Sequence, residues 1–369
     1  MRVLFVGKRF YTNRDAYKER FGRIYQLPYW WAKASQEVDL WLVDYHGRNA
    51  AVTRDETLTV ETTPVLRWRV LARWFSACFS RRRARRPDII VASGDCYVGL
   101  LGYMVARIRR AKFVFDVYDR YDLFEGYRRL LGFDPQAFLL RNADVVLFAS
   151  VAVLDELREQ TKDATLVPNG IDLGEFKSQP MRESRKQLDL PDDVPLIGYF
   201  GSMEADRGVG DLIDAVAGLV EKGIALNLVI GGKANAEINL EYPWVQYLGN
   251  LDYKQMPTAL ASCDLLALPY RQSEFMDQGA SCKIAEYIAV QRPVVATRTQ
   301  NFVANFPTQA SELDGLLATP GDAEDLRRCI LGQLSERRLV SLPKGVDWRE
   351  ISEQVLDRLK AEVTAEEAR

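Results

Sequence analysis

Histidine is almost absent: the chain of 369 residues has one, His46. No metal site built on a histidine pair can therefore exist. At most one Ser-His-Asp arrangement remains, and no GxSxG elbow accompanies it. The five cysteines, Cys78, Cys96, Cys263, Cys282 and Cys329, are odd in number and lack CxxC spacing. This excludes a disulfide framework and a cysteine zinc site, and it reads as reduced thiols in a cytosolic chain. No GxGxxG follows a predicted strand and no GxxxxGK loop occurs, which weakens dinucleotide and triphosphate readings. Long apolar runs are missing too. Val3–Val6 is closed off by Lys8 and Arg9, too short for a secretory signal. Ile89 to Ile108 is interrupted by Gly94, Asp95 and Gly99. A spanning helix needs about 20 predominantly apolar residues, so this stretch reads as strand, turn and helix.

What is present is an ordinary globular mixture, 47% hydrophobic and 27% charged, enough to argue against extensive disorder. The length suits two cores. The net charge of −2 hides an asymmetry: residues 1–142 carry 26 Lys and Arg against 15 Asp and Glu, and the remainder carries 23 against 36. A basic first half could face anionic lipid, an anionic acceptor or nucleic acid.

Short apolar runs alternate with amphipathic stretches. Val3–Gly7, Asp39–Asp44, Ile89–Ser93, Phe113–Asp116 and Val145–Ala149 read as strands, with helices at Ile24–Lys33, Tyr97–Arg110 and Val151–Glu159. Thr165–Val167 is a last short strand before the turn Pro168-Asn169-Gly170. The rhythm restarts with strands at Leu196–Phe200, Leu226–Ile230, Val245–Leu248, Leu265–Leu268 and Val294–Ala296. Helices are expected at Val209–Lys222, Lys254–Ser262, Ser281–Val290 and Ala323–Leu334, and a final one from Trp348 to about Glu362. This alternation predicts an α/β chain with two doubly wound parallel sheets. The expected division is 1–167, a linker at 168–193, 194–345, and a C-terminal helix within 346–369.

Ligands of such sheets bind beyond the carboxyl ends of the strands, so the loops there carry the candidates. Gly201 to Gly208 lies between a strand and a helix, and its Arg207 could make a bidentate phosphate contact. A tight turn with a solvated arginine explains it equally well. Tyr270 to Ser281 leads from strand to helix, with Ser281 as the expected cap. Lys283 and Glu286, three apart, share one helix face. The cation suits a diphosphate and the carboxylate suits ribose hydroxyls; a surface ion pair is the plain alternative. In the first half, Asp119 and Asp122 follow the strand Phe113–Asp116 in a charged loop. A helix-capping role is their plain reading. Gly7 ends the first strand and Gly22 opens the first helix, where close approach and a plain turn are equal readings. Residues 67–86 place Trp74 among other aromatics at helical spacing and add Arg81, Arg82, Arg83, Arg85 and Arg86, a pattern of membrane-surface helices and of ordinary solvated ones.

Val167-Pro168-Asn169-Gly170-Ile171-Asp172 resembles the hinge motif of nucleotide-sugar glycosyltransferases with the GT-B fold. The Gly201–Gly208 loop, Lys283-Ile284-Ala285-Glu286-Tyr287 followed by Arg292-Pro293-Val294-Val295, and Asp347-Trp348 before the last helix are also similar to that family. The resemblance implies two facing Rossmann-like domains, with the C-terminal helix returning to the first. It implies that Glu286 binds the donor ribose, that Lys283 and Arg207 hold the diphosphate, and that Gly201, Tyr270 and Gln278 line the donor site. Ser202 stands where members often carry arginine, and Gln278 where many carry glutamate. A subset with lysine at the Lys283 position, including the glucuronosyltransferase of xanthan assembly, lacks the same features and places an aspartate as base at the position of Asp119.

The expectation is a cytoplasmic enzyme, peripheral on the inner face of the cell membrane. It would move a sugar from a nucleotide sugar, UDP favoured, to a lipid-linked or cell-surface glycan, with no metal or other cofactor and no nucleic-acid partner. A nucleotide-sugar epimerase, a nicotinamide-dependent oxidoreductase, or a non-catalytic partner of another transferase are the alternatives.

Overall fold

The computed structural model describes residues 1–367 apart from 12–13, 48–49, 56, 65–85, 124–125, 130–131 and 280. It falls into two units, Met1–Gly170 with Gly345–Arg369, and Ile171–Lys344.

In the first unit β1 (Arg2–Lys8) leads to a small hairpin of β2 (Phe10–Tyr11) and β3 (Arg14–Asp15). β4 (Glu37–Asp44), β5 (Ala51–Asp55), β6 (Leu58–Pro64), β7 (Ile89–Ser93), β8 (Lys112–Val117), β9 (Val145–Phe148) and β10 (Ala164–Leu166) follow. With β1 they form one sheet in the order β10-β9-β8-β7-β1-β4-β6-β5. Every neighbouring pair is parallel except β5, which runs antiparallel to β6. The inner strands are buried on both faces, which is why they read as unbroken apolar runs. β6 instead alternates, burying Leu58, Val60, Thr62 and Pro64 and half-exposing Thr59, Glu61 and Thr63.

Helices cover both faces. Gly22–Lys33 and the last helix, Trp348–Glu367, share one core with Val3, Phe5 and Leu40. There the Trp31 indole donates to the Ser352 carbonyl at 2.9 Å. Asp347 starts the last helix by accepting the Arg349 N–H at 2.7 Å. The C-terminal helix thus belongs to the first unit. On the opposite face Cys96–Arg109 and Pro135–Asn142 pack over Ile90, Ala92 and Phe115.

The second unit carries β11 (Leu196–Phe200), β12 (Asn227–Gly231), β13 (Val245–Tyr247), β14 (Leu265–Leu268), β15 (Val294–Thr297) and β16 (Leu317–Ala318). They run all parallel in the order β13-β12-β11-β14-β15-β16. The winding reverses between β11 and β14, and in the first unit between β1 and β7. Those reversals are where sheets of this kind bind ligands.

Some boundaries differ from the sequence reading. The hairpin β5–β6 is an addition, because Thr and charged residues between apolar ones read as loop. Helices at Gln300–Asn305 and Pro307–Glu312 are additions too. The stretch from Lys254 splits into a tight turn at Tyr253–Gln255 and a helix at Met256–Ala261, with Pro257 in its first turn. Ser281 is not the cap: the helix is Lys283–Ala289 and its cap residue is Cys282, which has no side-chain capping bond.

Candidate functional site

In the second unit the loops after β11 and β14 are joined to each other. Gly208 has φ 65°, and a Cβ on it would stand 1.8 Å from the Pro269 carbonyl oxygen. Only glycine permits both that conformation and that approach. The Arg271 N–H donates to the Asp206 carbonyl at 2.9 Å, and Asp211 holds the Arg271 guanidinium with two short bonds.

Lys283 extends from its helix to the start of the first loop. A Cβ on Gly201 would lie 2.1 Å from Lys283 Nζ, so the ammonium rests on the bare face of the glycine. Lys283 makes no ion pair among the described residues. Glu204, nearby, is held below the usual carboxylate range. Burial pushes it up, but the Ser202 hydroxyl, its own N–H and the charges of Arg207 and Lys283 outweigh that.

The Arg207 guanidinium lies 5.4 Å from the centre of the Tyr270 ring. Its Nη1 donates to the Met276 sulfur at 3.0 Å, a weak acceptor. Its Nε stands 3.8 Å from carboxylate oxygens of Glu204 and Asp206, too far for a hydrogen bond. The Tyr270 hydroxyl is buried and has no hydrogen-bond partner among the described residues. Two cations and an unmatched phenol therefore gather over one glycine loop. This donor set fits a diphosphate.

Glu286 is only 4% exposed. It accepts a hydrogen bond from the Tyr253 hydroxyl at 3.2 Å, and the Cys282 thiol lies 3.6 Å away. Burial, then the Glu286 charge, holds the Cys282 thiol well above its usual value, so it is no nucleophile. The Tyr287 hydroxyl accepts the Phe200 N–H at 3.0 Å and pins the helix to β11. Gln278 ends the short helix Glu274–Gln278. The sequence reading missed Tyr253 and Glu204. The turn after β13 could have pointed to the first, and the acidic residue within the glycine loop to the second.

In the first unit Asp119 lies half-buried beyond β8, and its Oδ1 accepts the Arg120 N–H at 2.9 Å. Asp122 is differently placed. It takes two bonds from Arg120, at 2.8 and 2.7 Å, and one from Gln136 at 3.1 Å. Burial raises its pKa, but these bonds and the Arg120 charge bring it below the usual range. A carboxylate so held is a weaker base than a free one, and its bonds to Arg120 and Gln136 brace the loop.

Gly7 lies within β1, as the strand reading expects, and a Cβ on it would meet Ile24 at 2.5 Å, so it packs under a helix. Gly22 has φ 65° and lies against the Tyr11 hydroxyl, which bonds the Phe21 carbonyl at 3.2 Å. Trp74, Arg81, Arg82, Arg83 and Arg85 lie outside the described residues. Arg86 is exposed and donates to the Arg110 carbonyl. No helix among the described residues is long and apolar enough to cross a membrane.

Arg23 was not foreseen. It is 1% exposed and clamps the fully buried Asp116 with bonds of 2.9 and 2.6 Å. It also reaches the Val167 carbonyl at 2.9 Å and Asn169 at 3.1 Å. The Ser93 hydroxyl completes the group at 2.6 Å from Asp116.

Residues 194–336 match the family described as glycosyl transferases group 1, and residues 23–170 match the glycosyl transferase 4-like domain. A Bacillus subtilis protein assigned as a teichuronic acid biosynthesis glycosyltransferase, TuaC, is 28% identical over 233 residues, covering 59% of this chain and 54% of that protein. A GDP-mannose-dependent phosphatidylinositol monomannoside mannosyltransferase of Corynebacterium glutamicum is 24% identical over 46% of each chain. The chain thus matches about half the length of these curated relatives. A sucrose-phosphate synthase from Thermosynechococcus elongatus has the same fold, with a TM-score of 0.74 at 16% identity over 99% of this chain and 100% of that one. Anabaena HepE, solved with UDP and glucose, gives 0.71 at 17% identity, covering 98% and 100%. The chain belongs to the group 1 glycosyltransferases with the GT-B fold.

Proposed function

We propose that this protein transfers a sugar from a nucleoside diphosphate donor to a lipid-linked or cell-surface glycan. The observation that carries the donor assignment is the Lys283 ammonium, without an ion pair, seated on Gly201 where no side chain intervenes. With Arg207 it stabilises charge on the departing diphosphate, and that stabilisation needs no metal in this reading. Glu286, buried and aligned by Tyr253, takes the ribose hydroxyls. UDP is favoured as the nucleotide. The HepE structure with UDP and glucose is consistent with that choice. Asp119 orients the acceptor hydroxyl or removes its proton. The expected location is the inner face of the membrane, in peripheral contact with anionic lipid.

The test is thermal stability against a panel of nucleotide sugars, followed by transfer assays in chelator. A ligand that binds the folded state raises stability by about 2.7 kcal/mol at a hundred times its dissociation constant. UDP-sugars are expected to stabilise most, and transfer is expected to survive EDTA. No response to any nucleotide, or activity that vanishes in EDTA and returns with a divalent ion, contradicts the reading.

A further inference from the structure

Three consecutive pairs of residues join the loop after β11 to the loop after β14. The Arg271 N–H donates to the Asp206 carbonyl at 2.9 Å. Arg207 faces Tyr270, its guanidinium 5.4 Å from the ring centre. Gly208 lies against Pro269, where a Cβ would stand 1.8 Å from the carbonyl oxygen. The two segments therefore run in opposite directions, 206–208 against 271–269, and Arg207 and Tyr270 are the middle pair.

Beyond these pairs the Arg271 side chain turns back to the helix that follows the first loop. It donates to Asp211 from Nε at 2.7 Å and from Nη2 at 2.5 Å. Asp211 stands in the first turn of the helix Val209–Glu221 and is buried. On the other side the Thr297 hydroxyl, in β15, donates to the Tyr270 carbonyl at 2.5 Å. The β14 loop is thus pinned between a helix and a strand. Further along it, the Met276 sulfur accepts from Arg207 at 3.0 Å.

A cation that is to meet an anion cannot be fixed by a close carboxylate, because the pair would already be neutral. Left unfixed, a long arginine loses side-chain freedom when it binds. Arg207 is fixed instead by an aromatic face and a thioether, and the loop that carries both is fixed by the neighbouring ion pair. A bidentate arginine–carboxylate pair has the geometric specificity for that task.

We propose that Arg271 and Asp211 are positioning residues for the donor diphosphate: their ion pair holds Tyr270 against Arg207 and so preorganises the Arg207 guanidinium. The inference rests on the transfer reading above and deepens it. Each residue acts through Arg207 rather than on the ligand.

The test is calorimetric titration of UDP, with GDP as the second nucleotide, into the full chain and its Arg271→Met, Asp211→Asn and Arg207→Met variants, alone and combined. Arg271→Met and Asp211→Asn should each weaken binding roughly tenfold, the worth of one hydrogen bond to a charged group. The two together should be no weaker than either alone, since both break the same contact. Neither should change the affinity once Arg207 is Met. A pair that only stabilised the fold would show no such coupling. Asp211→Asn keeps the shape of its side chain and carries the test should Arg271→Met not fold. Wild-type affinity in both single variants overturns the inference and leaves an ordinary surface pair. So does a further loss in the Arg207→Met background. Tighter binding by Asp211→Asn overturns it too, because Arg271 would then meet the phosphates itself. A wild type that binds neither nucleotide overturns the transfer reading, and this inference with it.

Discussion

Two cations beside the second reversal point, Lys283 and Arg207, lack a close carboxylate, although their neighbour Arg271 is held by Asp211. In the first unit, by contrast, Arg9 pairs with Asp15 and Asp44, Lys8 with Asp95, Arg120 with Asp122 and Glu156, and Arg23, at the start of the Gly22–Lys33 helix, with Asp116. In the second unit Lys283 has no ion pair among the described residues, and Arg207 has carboxylates only at 3.8 Å. Yet the first part of the chain is the basic one and the second the acidic one. Regional net charge therefore points away from the proposed anion site. In the proposed function local pairing marks it instead: a cation next to a glycine loop, left without a close carboxylate, meets the ligand.

The largest expected effect breaks the acceptor half. Asp119→Asn should lower the transfer rate by about 10²–10⁴, the usual worth of a positioned acid or base, while UDP binding measured by calorimetry stays unchanged. Next comes the paired side of the contrast. Arg23→Met leaves the fully buried Asp116 without its ion-pair partner, and should cost about 3–5 kcal/mol in denaturant unfolding. Lys283→Met belongs to the unpaired side, and should lower the rate by about 10²–10³ with little change in unfolding midpoint. Gly201→Ala sharpens that result: the nearest neighbours of its Cβ are the end of the Lys283 side chain and the Tyr199 hydroxyl at 3.1 Å. It should fold, yet raise the donor KM.

The smallest effect is pH-dependent. Asp122 titrates below the usual carboxylate range when folded, because Arg120 and Gln136 hold it against the cost of burial. Its stabilisation is full above the unfolded carboxylate value and is lost as pH falls through the depressed folded one. Asp122→Asn should cost about 1–2 kcal/mol at pH 7 and progressively less toward pH 3, read from unfolding midpoints.

Much of the architecture was legible because inner parallel strands are apolar throughout, and Leu196–Phe200 and Leu265–Leu268 announce themselves that way. Lys283 and Glu286 were legible as a pair at helical spacing in a strand-loop-helix segment. Their separate destinations, Gly201 for one and Tyr253 for the other, were not. Those contacts join residues dozens of positions apart. Arg23 and Asp116 are 93 positions apart, and nothing local marks either. Asp122 looked like Asp119 because both are loop aspartates after one strand; only the folded position of Arg120 separates them. β5 and β6 escaped because a half-exposed strand with threonine and glutamate has the composition of a loop.

The most direct test is calorimetric titration of UDP into wild type and Lys283→Met at two ionic strengths, in chelator. The account predicts that the variant binds at least tenfold more weakly and with a smaller salt dependence, Arg207 remaining, with Asp119→Asn indistinguishable from wild type. Equal affinity for wild type and Lys283→Met would contradict it.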